Sequence, residues 1–168
     1  MKTTLTLLAA ALTIAGCAST PAAKTAGAAV KPTQGNVVNG SVSFTQTGEH
    51  VWMTAEIRGL TPGLHGFHIH EKGDCSAPDA TSAGGHFNPS GHAHGASHGK
   101  GGHAGDMGNL NADANGNATL KLEMEGVTLG SGAHNIVGRA VIIHAKPDDL
   151  TSQPVGNAGA RVACGVIG

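Results

Sequence analysis

The chain of 168 residues is defined first by what it lacks. Lys and Arg total 10 against 11 Asp and Glu, a formal net charge of −1, and no segment gathers the basic residues. A nucleic-acid surface is built on such a patch, so nucleic acid is not an expected partner. No apolar run approaches the roughly 20 residues that a membrane-crossing helix needs. No segment carries a good 3.6-residue apolar period, so helices are not expected. Cysteine is scarce, at three. Histidine, at 11, and glycine, at 27, are abundant instead. Many glycines mean many turns and unusual backbone conformations.

The N-terminus has the marks of an export signal: Lys2, an apolar run from Leu5 to Ala15, then Ile14-Ala15-Gly16-Cys17. Residues 1–16 are read as a signal peptide. Its end resembles a bacterial lipobox, in which Cys17 is lipidated and becomes the mature N-terminus; the other outcome is ordinary cleavage at a nearby small residue. Ala18, rather than Asp, after Cys17 leans toward the outer membrane if the host is Gram-negative. Residues 17–36 then read as the lipidated cysteine and a flexible linker, because "ASTPAAKTAGAAVKPTQGN" has no periodicity. Such a coil spans about 25 Å root-mean-square. The expected folded domain is 37–168, in the periplasm or cell envelope. With Cys17 set aside, Cys75 and Cys164 either pair in that oxidising compartment or stay as buried thiols. A bridge between them would close a long loop, worth about 4 kcal/mol on the loop-entropy model.

Within the domain, "VNGSVSFTQ" and "EHVWMTAEIRGL" alternate with period two around a turn at Thr47-Gly48. "GLHGFHIH" follows Thr61-Pro62-Gly63, and "NADANGNATLKLEM" carries an Asn115-Gly116 hairpin signal. "NIVGRAVIIH" and "RVACGVIG" are β-rich apolar runs. The expected fold class is all-β, a sandwich or Greek-key barrel. Residues 71–108 are left as one long unstructured stretch, which inside a compact domain points to function.

That stretch holds "GGHFNPSGHAHGASHGKGGHAGD", with His86, His92, His94, His98, His103 and Asp106. Just before it, His68 and His70 flank Ile69. Residues i and i+2 of a strand share a face, so both imidazoles can reach one metal while Ile69 enters the core. His65 is an odd number of positions from His68 and falls off their face. His144 closes the strand "GRAVIIH", where a rim site would lie. An all-imidazole site suits Zn, Cu or Ni, with copper favoured on affinity. A carboxylate such as Asp106 among histidines suits zinc. Residue chemistry alone does not separate His94 from His92.

Five segments in order, "GLHGFHIHEKGDC", "GGHFNPSGHAHG", "GHAGDMGNL", "GRAVIIHAKPDDL" and "GNAGARVACGVIG", resemble copper/zinc superoxide dismutase of the bacterial exported, lipoprotein-like type. The resemblance implies an eight-stranded Greek-key β-barrel with a long metal-binding loop, and an enzyme that converts superoxide to oxygen and hydrogen peroxide by copper redox cycling. It implies copper on His68, His70, His86 and His144, and zinc on His86, His94, His103 and Asp106, with His86 shared and handling a proton. It further implies that Asp148 bonds one histidine of each metal and that His65 bonds backbone. Cys75 and Cys164 would form the intrasubunit disulfide, and Arg161 would dock the anion beside copper. Only residues 145–160 separate His144 from Arg161, fewer than in eukaryotic members, so no substrate-steering residue carries over; Lys100 and Lys146 read as ordinary solvated lysines. The subunit state is a monomer or a bacterial-type homodimer. His92 and His98 are expected to be solvent-exposed passengers. The competing class is an exported copper/zinc buffer without turnover, against which Arg161 argues, since a buffer needs no anion-docking group. A copper-only variant would lack the zinc ligands, and here all are present.

Overall fold

A computed structural model describes residues 22–96 and 101–168. Cys17, His98 and Lys100, to which the sequence assigns roles, lie outside the described residues. Eight strands follow in order: β1 (Lys24–Pro32), β2 (Asn39–Thr47), β3 (His50–Arg58), β4 (Gly63–His70), β5 (Asp106–Ala112), β6 (Ala118–Met124), β7 (Ala140–His144) and β8 (Arg161–Val166). All pairings between them are antiparallel, in the order β5-β4-β7-β8-β1-β2-β3-β6. The sheet curls into a nearly closed barrel whose two end strands, β5 and β6, are consecutive in the chain. This is the Greek-key barrel that the sequence led us to expect.

Alternation explains the strands. β2 and β3 bury Val42, Phe44, Val51, Met53, Ala55 and Ile57 and expose the residues between them, apart from a half-buried few. Their inward side chains meet Phe67, Ile69, Leu110 and Ile143 in one barrel core. β7 is buried along its whole length. Val141 and Ile143 enter the barrel, while Ala140 and Ile142 face outward into a small second cluster with Ala80, Ala83, Cys164 and Cys75. That outer cluster exists because the segment after β4 folds back over the barrel wall.

Three expectations require correction. Residues 24–32 are not linker but β1, which pairs with β2 from Lys24↔Gln46 to Val30↔Gly40 and with β8 at Lys31↔Cys164 and Pro32↔Ala163. The period-two signal is present in Ala26, Ala28 and Val30, the inward positions, but small side chains make it faint. The long stretch ends earlier than expected, since β5 begins at Asp106. Conversely, "NIVG" before β7 is not part of a strand.

The covering segment is tied to β4 by backbone. Phe87 N–H donates to Ile69 O at 2.8 Å, Gly105 N–H to Phe87 O at 2.9 Å, and Ile69 N–H to Gly105 O at 2.8 Å. Gly105 is required at this lacing, because a Cβ there would stand 2.3 Å from Ile69 O. A disulfide between Cys75 and Cys164, with Cα atoms 5.9 Å apart, fastens the other end to β8.

Because β1 fills the gap between β8 and β2, its removal would leave two unpaired edges. A chain beginning at Ala22 is expected to melt cooperatively, and one beginning at Asn36 to melt well below it or to aggregate. Matching melting temperatures by circular dichroism would show that β1 contributes nothing.

Candidate metal centre

Strand β4 places His68 and His70 on the outer wall of the barrel, opposite Ile142 and Ala140 of β7. His144 ends β7, and the covering segment brings His86 to bridge with His70. These four form one group whose potential ligand atoms all lie within 4.8 Å of one another. His86, His94, His103 and Asp106 form a second group of the same tightness. All seven residues are buried. The sequence-derived candidates are thus brought together as two groups sharing His86. His92 is left outside, exposed, with its backbone capped by the Asn88 side chain.

The hydrogen bonds settle which ring nitrogen carries the proton. His68 Nε2 donates to Asp148 Oδ2 at 2.7 Å, His70 Nδ1 to Gly84 O at 2.9 Å, and His144 Nδ1 to Gly159 O at 3.1 Å. Carbonyls and carboxylates only accept, so each ring's N–H is committed there and its other nitrogen is a bare lone pair. Those other nitrogens, His68 Nδ1, His70 Nε2 and His144 Nε2, are buried without a partner, and so is His86 Nε2. An unsatisfied buried acceptor costs about 1–3 kcal/mol. Four of them converging on one point suit a soft or borderline cation, which takes lone pairs.

The second group adds a carboxylate. His86 Nδ1 is 2.9 Å from Asp106 Oδ1, and His103 Nδ1 is 3.3 Å from the same oxygen. His94 donates from Nε2 to Asp148 Oδ1 at 3.0 Å, which turns its Nδ1 inward. That Nδ1 sits 3.0 Å from Asp106 Oδ2 yet makes no hydrogen bond, as fits two acceptors side by side. Burial by itself would raise the Asp106 pKa. The His86 hydrogen bond and the backbone N–H groups of His103 and Gly95 outweigh it and hold the carboxyl at about 2. Three imidazoles and a carboxylate match a tetrahedral zinc donor set. Both groups therefore fit metal ions.

Asp148 joins the groups, one oxygen on His68 and the other on His94. Asn109 of β5 holds it in place: its Oδ1 accepts Asp148 N–H at 2.8 Å and its Nδ2 donates to Asp148 O at 3.0 Å. His65 lies beneath, bonded through Nδ1 to His144 O and through Nε2 to Thr61 O, both at 2.8 Å. Arg161 opens β8 and pairs across the ladder with His144. Its guanidinium donates to Ala80 O and Gly84 O, each at 2.7 Å. Gly84 O thereby serves both Arg161 and His70.

Sequence reasoning gave no role to Asn109, Gln153 or Gly156. Gln153 bonds the backbone of His94. Gly156, at φ +66°, passes so close that a Cβ would stand 1.8 Å from Asp148 Oδ1 and 2.6 Å from His94 Nε2. Nothing local in the sequence marks these contacts, which join segments far apart in the chain.

Residues 38–167 match the sequence model of the family described as copper/zinc superoxide dismutase. The chain is 47% identical over 135 residues to the extracellular copper–zinc superoxide dismutase of Haemonchus contortus, covering 77% of this chain and 73% of that protein. It is also similar to the crystal structure of the clock protein EA4, at 41% identity and a TM-score of 0.76, over 86% of this chain and 93% of that one.

Burial holds the imidazoles of His70, His144 and His68 far below their ordinary 6.5, at about 2, about 3 and about 4. At neutral pH they are uncharged, as ligands must be. In the unfolded chain these groups protonate near 6.5, so their contribution to metal-free stability is present above that pH and lost as pH falls toward the folded-state values. The loss is up to about 1.4 kcal/mol per histidine per pH unit. The melting temperature of metal-free protein should fall by several degrees from about pH 7.5 to about pH 5.5. A flat or rising profile would contradict the burial argument.

Proposed function

The chain belongs to the copper/zinc superoxide dismutase family, uses copper and zinc and disproportionates superoxide; from that premise we propose which residues hold each metal, dock the anion and place the enzyme in the cell. Copper would be held by His68 Nδ1, His70 Nε2, His86 Nε2 and His144 Nε2, and zinc by His86 Nδ1, His94 Nδ1, His103 Nδ1 and Asp106. The observation that carries this assignment is the convergence of four buried, unpartnered imidazole nitrogens, each of three rings having its N–H committed to an oxygen elsewhere. The all-imidazole group suits copper, and the group containing a carboxylate suits zinc.

Copper, when bound, would supply a one-electron store for oxidising one superoxide to oxygen and reducing a second, with two protons, to hydrogen peroxide; zinc would supply fixed charge without redox chemistry. The protein residues bind, orient and carry protons. Arg161 is anchored by two of its five N–H donors, and its fixed charge beside His144 attracts the anion toward the histidine cluster. His86 Nε2, whenever it is not a metal ligand, would be the atom that holds a proton for the peroxide product. Asp148 fixes the rings of His68 and His94, and His65 fixes the backbone at His144. Such partners set ligand orientation.

The Haemonchus relative is extracellular, and a disulfide persists in oxidising compartments; both support an exported protein. We assign the anchor to a lipid on Cys17, which would hold the enzyme in the cell envelope on the periplasmic side. Mass spectrometry of the mature N-terminus should find a diacylated or triacylated cysteine. An unmodified terminus beyond Cys17 excludes the anchor.

Arg161→Ala, loaded with copper and zinc to wild-type content, should remove superoxide from a xanthine-oxidase source at least about tenfold more slowly, the scale on which a focused field changes anion encounter. Unchanged activity at equal metal content would remove Arg161 from the docking role.

A further inference from the structure

Of the seven residues in the two groups, His94 has the weakest claim to a fixed backbone. His68, His70 and His144 stand on strands, and Asp106 opens one. His86 bridges to His70. His103 is closed by its N–H on Asp106 Oδ2 at 2.9 Å and by Asp106 N–H on its carbonyl at 3.1 Å. His94 lies in an irregular segment, and among the described residues its backbone makes no bond to another backbone group.

Its N–H and C=O go instead to one side chain. His94 N–H donates to Gln153 Oε1 at 2.8 Å, and Gln153 Nε2 donates to His94 O at 2.9 Å. A carboxamide offers a donor and an acceptor in the geometry of a peptide group. The pair therefore imitates one rung of a β-ladder, with a side chain replacing a neighbouring strand. Gln153 Nε2 also reaches Thr151 O at 3.2 Å, which restrains its own rotamer.

We propose that Gln153 is a positioning residue for zinc, locking the backbone of His94 while Asp148 locks its ring. The proposal rests on the assignment of His94 to zinc. Both locks come from residues 145–160, the segment joining His144 to Arg161. Gly156 brings that segment down onto the Asp148–His94 bond. The short segment thus acts as a clip from the strand ends beside the copper-side histidines to His94, which among the described residues, together with its two chain neighbours, makes no backbone–backbone bond.

The test uses the full holoprotein. Zinc transfer to a chromogenic chelator, copper retention, and the visible spectrum of protein with cobalt in the zinc position are compared for wild type, Gln153→Ala, Gln153→Glu and His94→Ala. Loss of such a partner typically weakens metal binding about 10–100-fold. Gln153→Ala should release zinc faster on that scale, with an altered cobalt spectrum and near-normal copper retention. Gln153→Glu keeps the acceptor for His94 N–H but sets an oxygen against His94 O, so it should fall with Gln153→Ala rather than with wild type. If either glutamine variant folds and releases zinc at the wild-type rate, the positioning role is wrong. It is equally wrong if copper is lost in parallel with zinc, since that marks general loosening. His94→Ala separates the two claims: a full zinc equivalent retained there overturns the ligand assignment, whereas its loss there beside normal Gln153 variants overturns only the clip.

Discussion

The buried carboxylate of Asp148 is the constraint on which the site depends. Burial alone would raise its pKa. The hydrogen bond from His68, joined by those from Leu150 N–H and His94, reverses the shift, so the group stays ionised and can only accept. An obligate acceptor dictates the tautomer of any ring that reaches it. His68 and His94 both commit their Nε2 protons to it, and both consequently turn Nδ1 toward a metal group. One carboxylate thereby orients one imidazole of each group. Asn109 holds its backbone through a paired amide contact, the device that Gln153 repeats at His94.

Among its described residues, the segment 71–105 carries little regular structure and buries few large apolar side chains, Phe87 chief among them. The apolar cluster beneath its first part is small, Ala80 and Ala83 against Ala140, Ile142 and Cys164. Discrete ties take the place of a core. The disulfide to β8 restricts the unfolded chain, an effect of about 4 kcal/mol for a loop of this length. The lacing at Ile69 extends the sheet by backbone bonds, and the shared Gly84 carbonyl joins the segment to His70 and Arg161. Metal ions would add to these ties, because ligand binding to the folded state is folding free energy. The disulfide and metal binding thus bear on the loop as well as on the reaction.

Much of this was legible in the sequence. Strands β2, β3 and β6 announce themselves by alternation, β4 by its place after the Thr61-Pro62-Gly63 turn, and His68 and His70 by their strand spacing within it. β1 was hidden because Ala26, Ala28 and Val30 carry the same alternation in side chains too small to stand out from a linker. Family resemblance, rather than residue chemistry, favoured His94 over His92. The structure supplies the physical reason: His94 meets Asp148 with its ring and Gln153 with its backbone, whereas the Asn88 cap holds His92 in solvent.

The sequence by itself determined the kinds of groups available and their local geometry: two imidazoles on one face of a strand, a histidine at a strand end, a carboxylate following a histidine loop, a pair of cysteines. Those are consequences of backbone periodicity and side-chain chemistry, which act over a few residues. Which nitrogen of each ring faces the centre of its group, and what holds it so, was decided only in three dimensions. The acceptors that fix those tautomers, Asp148, Gly84 O and Gly159 O, come from loops that meet the histidines only after the barrel has closed and the long segment has folded across its wall.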